Sequence, residues 1–238
     1  SRLREAMTGF GLDGFYIPHE DEYDNEYLPA YADRLAWATG FTGSAGAAFV
    51  FADQAIVFVD GRYTLQAATQ LDKALFETAD LHGDGPFGWL AASGRKGQTL
   101  GYDPRLMSPD ALAKLDNAAK QAGLTLTPVQ TNPIDAAWIG RPAEPMAPVV
   151  PHDLAHAGED SAAKRARISK GLADRGADAL VLTSPTSLAW LFNVRGGDVA
   201  RSPLPLGRAI LHASGEADLY LAPAKVSDAL RAHLGNEV

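Results

Sequence analysis

The chain has 238 residues, 46% apolar and 21% charged, with 23 glycines and 15 prolines, which excludes a wholly disordered, collagenous or coiled-coil protein. At roughly 100–200 residues per domain, this length holds one large domain or two small ones. Twenty-one Lys and Arg against 29 Asp and Glu leave a formal charge of −8, which argues against a duplex-binding surface and predicts no nucleic-acid partner.

The start, Ser1-Arg2-Leu3-Arg4-Glu5, has no apolar leader behind it, and no run reaches the ~18 apolar residues of a membrane span, so a cytoplasmic protein without a membrane partner is expected. Leu3 to Phe10 reads as a short helix broken at Gly11, and Phe15-Tyr16-Ile17 as a strand ended by Pro18. His19 to Asp24 is expected to be a solvated acidic loop, and Asp33 to Thr39 a helix stopped by Gly40. Ala47 to Phe51 and Ala55 to Val59 are apolar runs joined by Ala52-Asp53-Gln54, a hairpin pattern, after which Asp60-Gly61-Arg62 turns into a helix over Tyr63 to Leu71. Strands are predicted at Leu75 to Thr78, Leu100 to Tyr102 and Leu124 to Val129, with helices around Phe87 to Ala91 and over Pro109 to Ala122. The second helix has a capping Ser108, Pro109 at its first position and Gly123 as its stop.

Arg141-Pro142, Pro145, Pro148 and Pro151 space a stretch without helix or strand pattern, read as a linker over 141–160 between a domain at 1–140 and a second at 161–238. In the second, Ser161 to Arg175 is an amphipathic helix, Ala179 to Thr183 a strand, Ser187 to Phe192 a helix, Ala209 to His212 with Leu219 to Leu221 a hairpin, and Ala224 to Leu234 a helix. This order repeats the first domain. Strand Phe15-Tyr16-Ile17 parallels Leu180-Val181-Leu182, Leu35-Ala36-Trp37 parallels Leu188-Ala189-Trp190, and each is followed by a hairpin. The fold class is therefore α/β in two similar copies, the second expected to be incomplete at its C-terminal side.

The absence of cysteine excludes disulfides, thiolate metal sites and a Cys nucleophile. Gly40-Phe41-Thr42-Gly43-Ser44-Ala45-Gly46 matches neither a dinucleotide fingerprint, a P-loop nor a nucleophile elbow, and reads either as a structural turn or as a ligand-facing loop, with Ser44 the poorer candidate for a nucleophile. His152 and His156, four apart among prolines, are expected to be exposed linker residues, and Asp13 and Asp24 offer carboxylates without a matching cluster. Arg62 after the Asp60-Gly61 turn sits where a side chain reaches a sheet-edge cleft, or where it pairs with Asp60 or Asp72. Arg195-Gly196-Gly197-Asp198 reads as a turn with a local Arg to Asp pair, beside core aromatics Trp190 and Phe192.

Three blocks carry a resemblance: Ala36-Trp37 with Gly40 to Gly46, Asp60-Gly61-Arg62-Tyr63 with Leu65-Gln66-Ala67-Ala68, and Ala189 to Asp198. In order and spacing they are similar to the three-domain aminopeptidases P, the Xaa-Pro aminopeptidases of the creatinase and prolidase pita-bread superfamily. The resemblance implies two creatinase-type, ribonuclease H-like N-terminal domains of mixed sheets flanked by helices. It also implies a separate C-terminal catalytic domain with two divalent metal ions, manganese as a rule, whose bridging hydroxide attacks the carbonyl before a penultimate proline. None of those metal ligands maps onto this chain, so no cofactor and no catalytic residue is expected within it. The carried-over role is a contact between Arg62 and a short peptide substrate, with Gly43, Ser44 and Gly46 as a loop lining the site. The full-length form is implied to be a homodimer. The chain departs from the family after Asp198, where Ser202-Pro203 stands in place of an Asn-Pro pair. The alternative is a non-catalytic binding module, since creatinase-type domains also occur in histone chaperone subunits.

Overall fold

The two apolar runs around Ala52-Asp53-Gln54 form a hairpin within a six-stranded sheet. The computed structural model describes residues 1–238, which form two units: Ser1–Glu22 with Ala30–Pro142, and Tyr23–Pro29 with Ala143–Val238. In chain order the first unit contains α1 (Arg2–Gly9), β1 (Gly14–Pro18), α2 (Arg34–Thr39), β2 (Gly46–Phe51), β3 (Ala55–Val59), α3 (Thr64–Gln70), β4 (Glu77–Asp80), α4 (Gly85–Ser93), β5 (Thr99–Tyr102), α5 (Pro109–Ala122), β6 (Thr125–Pro128) and α6 (Pro133–Ala137). The strand order is β4-β3-β2-β1-β5-β6. β2 runs antiparallel to β1 and β3, and the remaining pairs are parallel.

Helices cover both faces, so β1, β2 and β3 are buried along their whole length and lack a polar alternation. Phe15, Ile17, Ala48, Val50, Val57 and Val59 point to one face, against Leu3 and Met7 of α1, Leu35 of α2 and Ile134 of α6. Tyr16, Phe49, Phe51, Ile56 and Phe58 point to the other, against Leu90 of α4 and Leu115 of α5. Trp89 stacks on Phe49 with ring centroids 5.7 Å apart. Each fully buried Val, Leu, Ile, Met or Phe among them contributes about 1.5–3 kcal/mol.

α5 has the ends its sequence predicts: Ser108 Oγ accepts from the Ala111 amide at 3.2 Å, and Gly123 closes the helix. β4 begins two residues later than expected, because the Leu75 and Phe76 amides both bond to the Asp72 carbonyl in a turn and Glu77 is the first residue paired with β3. The acidic run His19 to Asp24 is not a solvated loop throughout. Asp21 is buried, and Glu22 Oε1 lies 2.7 Å from Nη2 of the buried Arg34, whose Nε and Nη2 also bond to Asp135 of α6.

The second unit contains β7 (Val150–Pro151), α7 (Leu154–Ala157), α8 (Ser161–Ala173), β8 (Ala179–Leu182), α9 (Pro185–Phe192), β9 (Val194–Arg195), β10 (Arg208–His212), β11 (Ala217–Tyr220) and α10 (Asp228–Leu234). The order α8-β8-α9-β10-β11 repeats α1-β1-α2-β2-β3, and the sheet order β11-β10-β8 repeats β3-β2-β1 with the same antiparallel sense. Leu35 and Leu188, the corresponding leucines, are both buried. The copies differ at both edges: β3 pairs with β4 while β11 ends its sheet, and β1 pairs with β5 and is buried, whereas β8 ends its sheet and leaves Val181 64% exposed.

The proline-spaced stretch is not an unpatterned linker. Val149 is fully buried in the second unit's core, Val150–Pro151 pairs with β9, and Asp153 caps the single helical turn of α7. Pro151 is tolerated because this strand is a two-residue edge. Within the Arg195 to Asp198 turn no pair forms. Arg195 Nη1 donates to the carbonyl of Val194 at 2.8 Å, and Asp198 instead meets the buried Lys225. Phe192 is core as expected, but Trp190 is 44% exposed, with Lys164 Nζ 4.7 Å and Arg167 Cζ 5.7 Å from its ring centroid.

Candidate functional site

Parallel pairing of β3 with β4 sets Val59 opposite Asp80, so the residues just beyond both strand ends meet at one edge of the sheet. Asp60 there caps a single 3-10 turn, Gly61–Tyr63. Its Oδ1 accepts from the Arg62 amide and from Arg62 Nε, both at 2.9 Å, and its Oδ2 lies 2.8 Å from His82 Nε2. The His82 contact, the Arg62 amide and the Arg62 side chain together hold the Asp60 carboxyl well below the usual carboxylate range. The ion pair that the sequence offered as one reading of Arg62 is thus formed with Asp60, while the Arg62 side chain remains 65% exposed.

The glycine loop comes to the same place through Tyr63. Arg62 Cζ lies 5.2 Å from the Tyr63 ring centroid, and Tyr63 Oη is 2.8 Å from Ser44 Oγ. Thr42 ties the loop to α3: its amide donates to Gln70 Oε1 at 3.0 Å, and its hydroxyl accepts from Gln70 Nε2 at 2.8 Å and Gln66 Nε2 at 3.1 Å. The glycines have a packing reason. A Cβ at Gly43 would collide with the ring of the buried Phe41, and one at Gly46 would stand 2.9 Å from the Phe58 carbonyl and 3.0 Å from Phe41. Ser44 has Tyr63 as its partner and no imidazole, so it lacks the base that a serine nucleophile needs.

Beside the turn lies a cavity of about 500 Å³ between α3 and β4. Val59, Ala67, Leu71 and Phe76 contribute to its apolar wall, and Thr64, Lys73, Thr78 and Asp80 are its polar residues. Asp80 also accepts the His82 amide at 2.9 Å, which links this wall to the Asp60 cluster.

The remaining sequence candidates lie elsewhere. Asp13 accepts the Thr99 amide at 2.7 Å, a strand-end contact. His152 precedes α7 and His156 lies within its single turn, with ring centroids 5.9 Å apart. Burial and then the positive charges of Arg195 and His156 push the His152 pKa down. No group of three or more His, Asp or Glu side chains in the chain is placed to hold a metal ion. The implied metal pair therefore finds no ligand set among these residues.

His82, Lys73 and Asp80 were not legible as site residues. His82 is 22 positions from Asp60, and only the parallel β3 and β4 pairing brings them together. The one available signal was the acidic residue ending each strand.

A family model described as the creatinase/prolidase N-terminal domain matches residues 1–137, and a second with the same description matches 140–238. A probable Xaa-Pro aminopeptidase P of Coccidioides posadasii is 34% identical over 245 aligned residues, covering 100% of this chain and 39% of its own length. That of Chaetomium globosum is 37% identical over 242, covering 98% and 38%. The crystal structure of the X-prolyl aminopeptidase of Caenorhabditis elegans, described as a cytosolic enzyme with a di-nuclear active site, superposes with a TM-score of 0.91 at 27% identity. The match covers 98% of this chain and 40% of that one. The chain thus spans about two fifths of the length of the relatives it matches.

Proposed function

This chain belongs to the creatinase/prolidase N-terminal domain family, and on that premise we propose that it is the non-catalytic N-terminal region of a metallo-aminopeptidase that removes the first residue from peptides with proline second. The observation that carries this reading is alignment over essentially the whole chain to Xaa-Pro aminopeptidases that continue for a further three fifths of their length. In this reading the chain shapes the entrance to an active site held by a separate C-terminal catalytic domain with a pair of divalent metal ions, manganese in our proposal. The di-nuclear site in the nematode enzyme's description supports the pair.

Within the chain, Arg62 is the proposed peptide contact and Gly43, Ser44 and Gly46 the loop beside it. An exposed guanidinium held at its Nε by Asp60 suits a peptide carbonyl or carboxylate. The nematode enzyme is cytosolic by its description, which supports a cytosolic location, and we propose that the full-length form is a homodimer.

The test is peptide hydrolysis with manganese present. Residues 1–238 alone should release no N-terminal residue from an Xaa-Pro peptide, whereas the longer polypeptide should. Arg62→Ala in the latter should raise KM about tenfold, the loss of one charge-assisted hydrogen bond. An inactive longer polypeptide would favour the non-catalytic binding module, and an unchanged KM in Arg62→Ala would return Arg62 to a purely structural role.

A further inference from the structure

We infer that His82 is a positioning residue for Arg62, acting through Asp60. Its consequence for peptide handling rests on the reading of Arg62 as a peptide contact.

An arginine side chain that is two-thirds exposed loses much rotamer freedom on being held, and a surface ion pair by itself offsets little of that cost. Asp60 must therefore be rigid before it can orient Arg62. Its Oδ1 is occupied by the Arg62 amide and Nε. Those two bonds hold only one of the two oxygens, about a torsion that is intrinsically broad and roughly two-fold. His82 Nε2, 2.8 Å from Oδ2, holds the other and narrows that torsion further. A carboxylate only accepts, so the imidazole donates from Nε2 in either protonation state.

His82 is itself anchored. Its amide donates to Asp80 Oδ1 at 2.9 Å, and the preceding Leu81 amide donates to the Val59 carbonyl at 3.0 Å, extending the β3 and β4 pairing by one step. The line of contact thus runs from a strand end through an exposed imidazole and a mostly buried carboxylate to Nε of Arg62. The Tyr63 ring lies under the guanidinium, 5.2 Å from Cζ. Nothing in the Gly43 to Gly46 loop touches His82 among these contacts, so its effect on that loop passes through Arg62 and Tyr63.

The experiment has two arms. In the 238-residue chain, the side-chain Nε–Hε resonance of Arg62 is followed by nuclear magnetic resonance in the wild type, His82→Ala and His82→Gln. His82→Ala should speed solvent exchange of that proton about tenfold, because the Arg62 Nε to Asp60 bond opens more often once Oδ2 has lost its donor, and His82→Gln, whose amide can still donate to Oδ2, should restore the slow rate. Unchanged exchange in His82→Ala overturns the inference. In the longer polypeptide, His82→Ala should raise KM for an Xaa-Pro peptide with kcat unchanged, and should add nothing in an Arg62→Ala background. An equal KM rise in both backgrounds means that His82 acts independently of Arg62 and also overturns it. If the resonance loosens but Arg62→Ala leaves KM unchanged, the peptide-contact reading fails while the positioning by His82 stands.

Discussion

Asp198 and Lys225 form an ion pair with neither side chain exposed by more than 1%, Nζ to Oδ2 at 2.8 Å. The same carboxylate accepts the Leu206 amide at 2.7 Å and the Ala147 amide at 3.1 Å, and Lys225 also donates to the Leu206 carbonyl at 3.2 Å. Three segments distant in sequence are thereby fixed to one buried charge pair within the second unit.

Removing one partner strands the other. Lys225→Met should destabilise the second unit by about 3–5 kcal/mol, because the Asp198 carboxylate is then buried without a counter-charge. Adding Asp198→Asn should recover part of that loss, since the uncharged amide still offers an acceptor to a backbone donor. Urea unfolding of the single and double variants measures both, and a double variant as unstable as the sum of its parts would contradict this account.

Asp103 is one of the carboxylates that make the first unit sensitive to acid. Burial pushes its pKa up, but the Arg105 side chain and amide and the Asn132 amide group outweigh it and hold the carboxyl below its ordinary value. A depressed carboxylate contributes stability that is present above the unfolded-state pKa and lost as pH falls through the folded one. Stability of the wild type should therefore decline from about pH 4 downward, and Asp103→Ala should flatten that decline while costing about 2–3 kcal/mol at neutral pH. Thermal melts across pH 3–7 check this.

Gly43 tests whether the glycine loop is shaped by packing. Gly43→Ala should cost about 1–3 kcal/mol by forcing the Phe41 ring aside, and Phe41→Leu in the same chain should relieve part of the penalty. Equal stability of Gly43→Ala and the wild type in urea would remove the steric explanation.

Arg34 addresses the buried charges at α2. Its Nε and Nη2 bond to Asp135 at 2.8 and 3.2 Å while Nη2 also meets Glu22 at 2.7 Å. Lysine keeps the charge but not the planar fork, so Arg34→Lys should cost about 2 kcal/mol, read from the midpoint of thermal or urea unfolding.

Local chemistry settled much of this protein. The apolar runs at Ala47 to Phe51 and Ala55 to Val59, the capped helix from Pro109 to Ala122 and the repeated Leu-Ala-Trp order are short-range signals, and the structure keeps them. The family resemblance likewise rests on contiguous strings. What needed the tertiary structure were partnerships across sequence: His82 with Asp60, 22 residues apart, Lys225 with Asp198, 27 apart, and Asp135 with Arg34, 101 apart. A charged side chain carries no local mark of whether it will be buried, because its cost is set by the partner it meets, and strand pairing and helix packing decide that. The same reason explains the misread stretch after Pro142. Proline density there marked an irregular backbone correctly, but only the second unit's core made Val149 a buried residue.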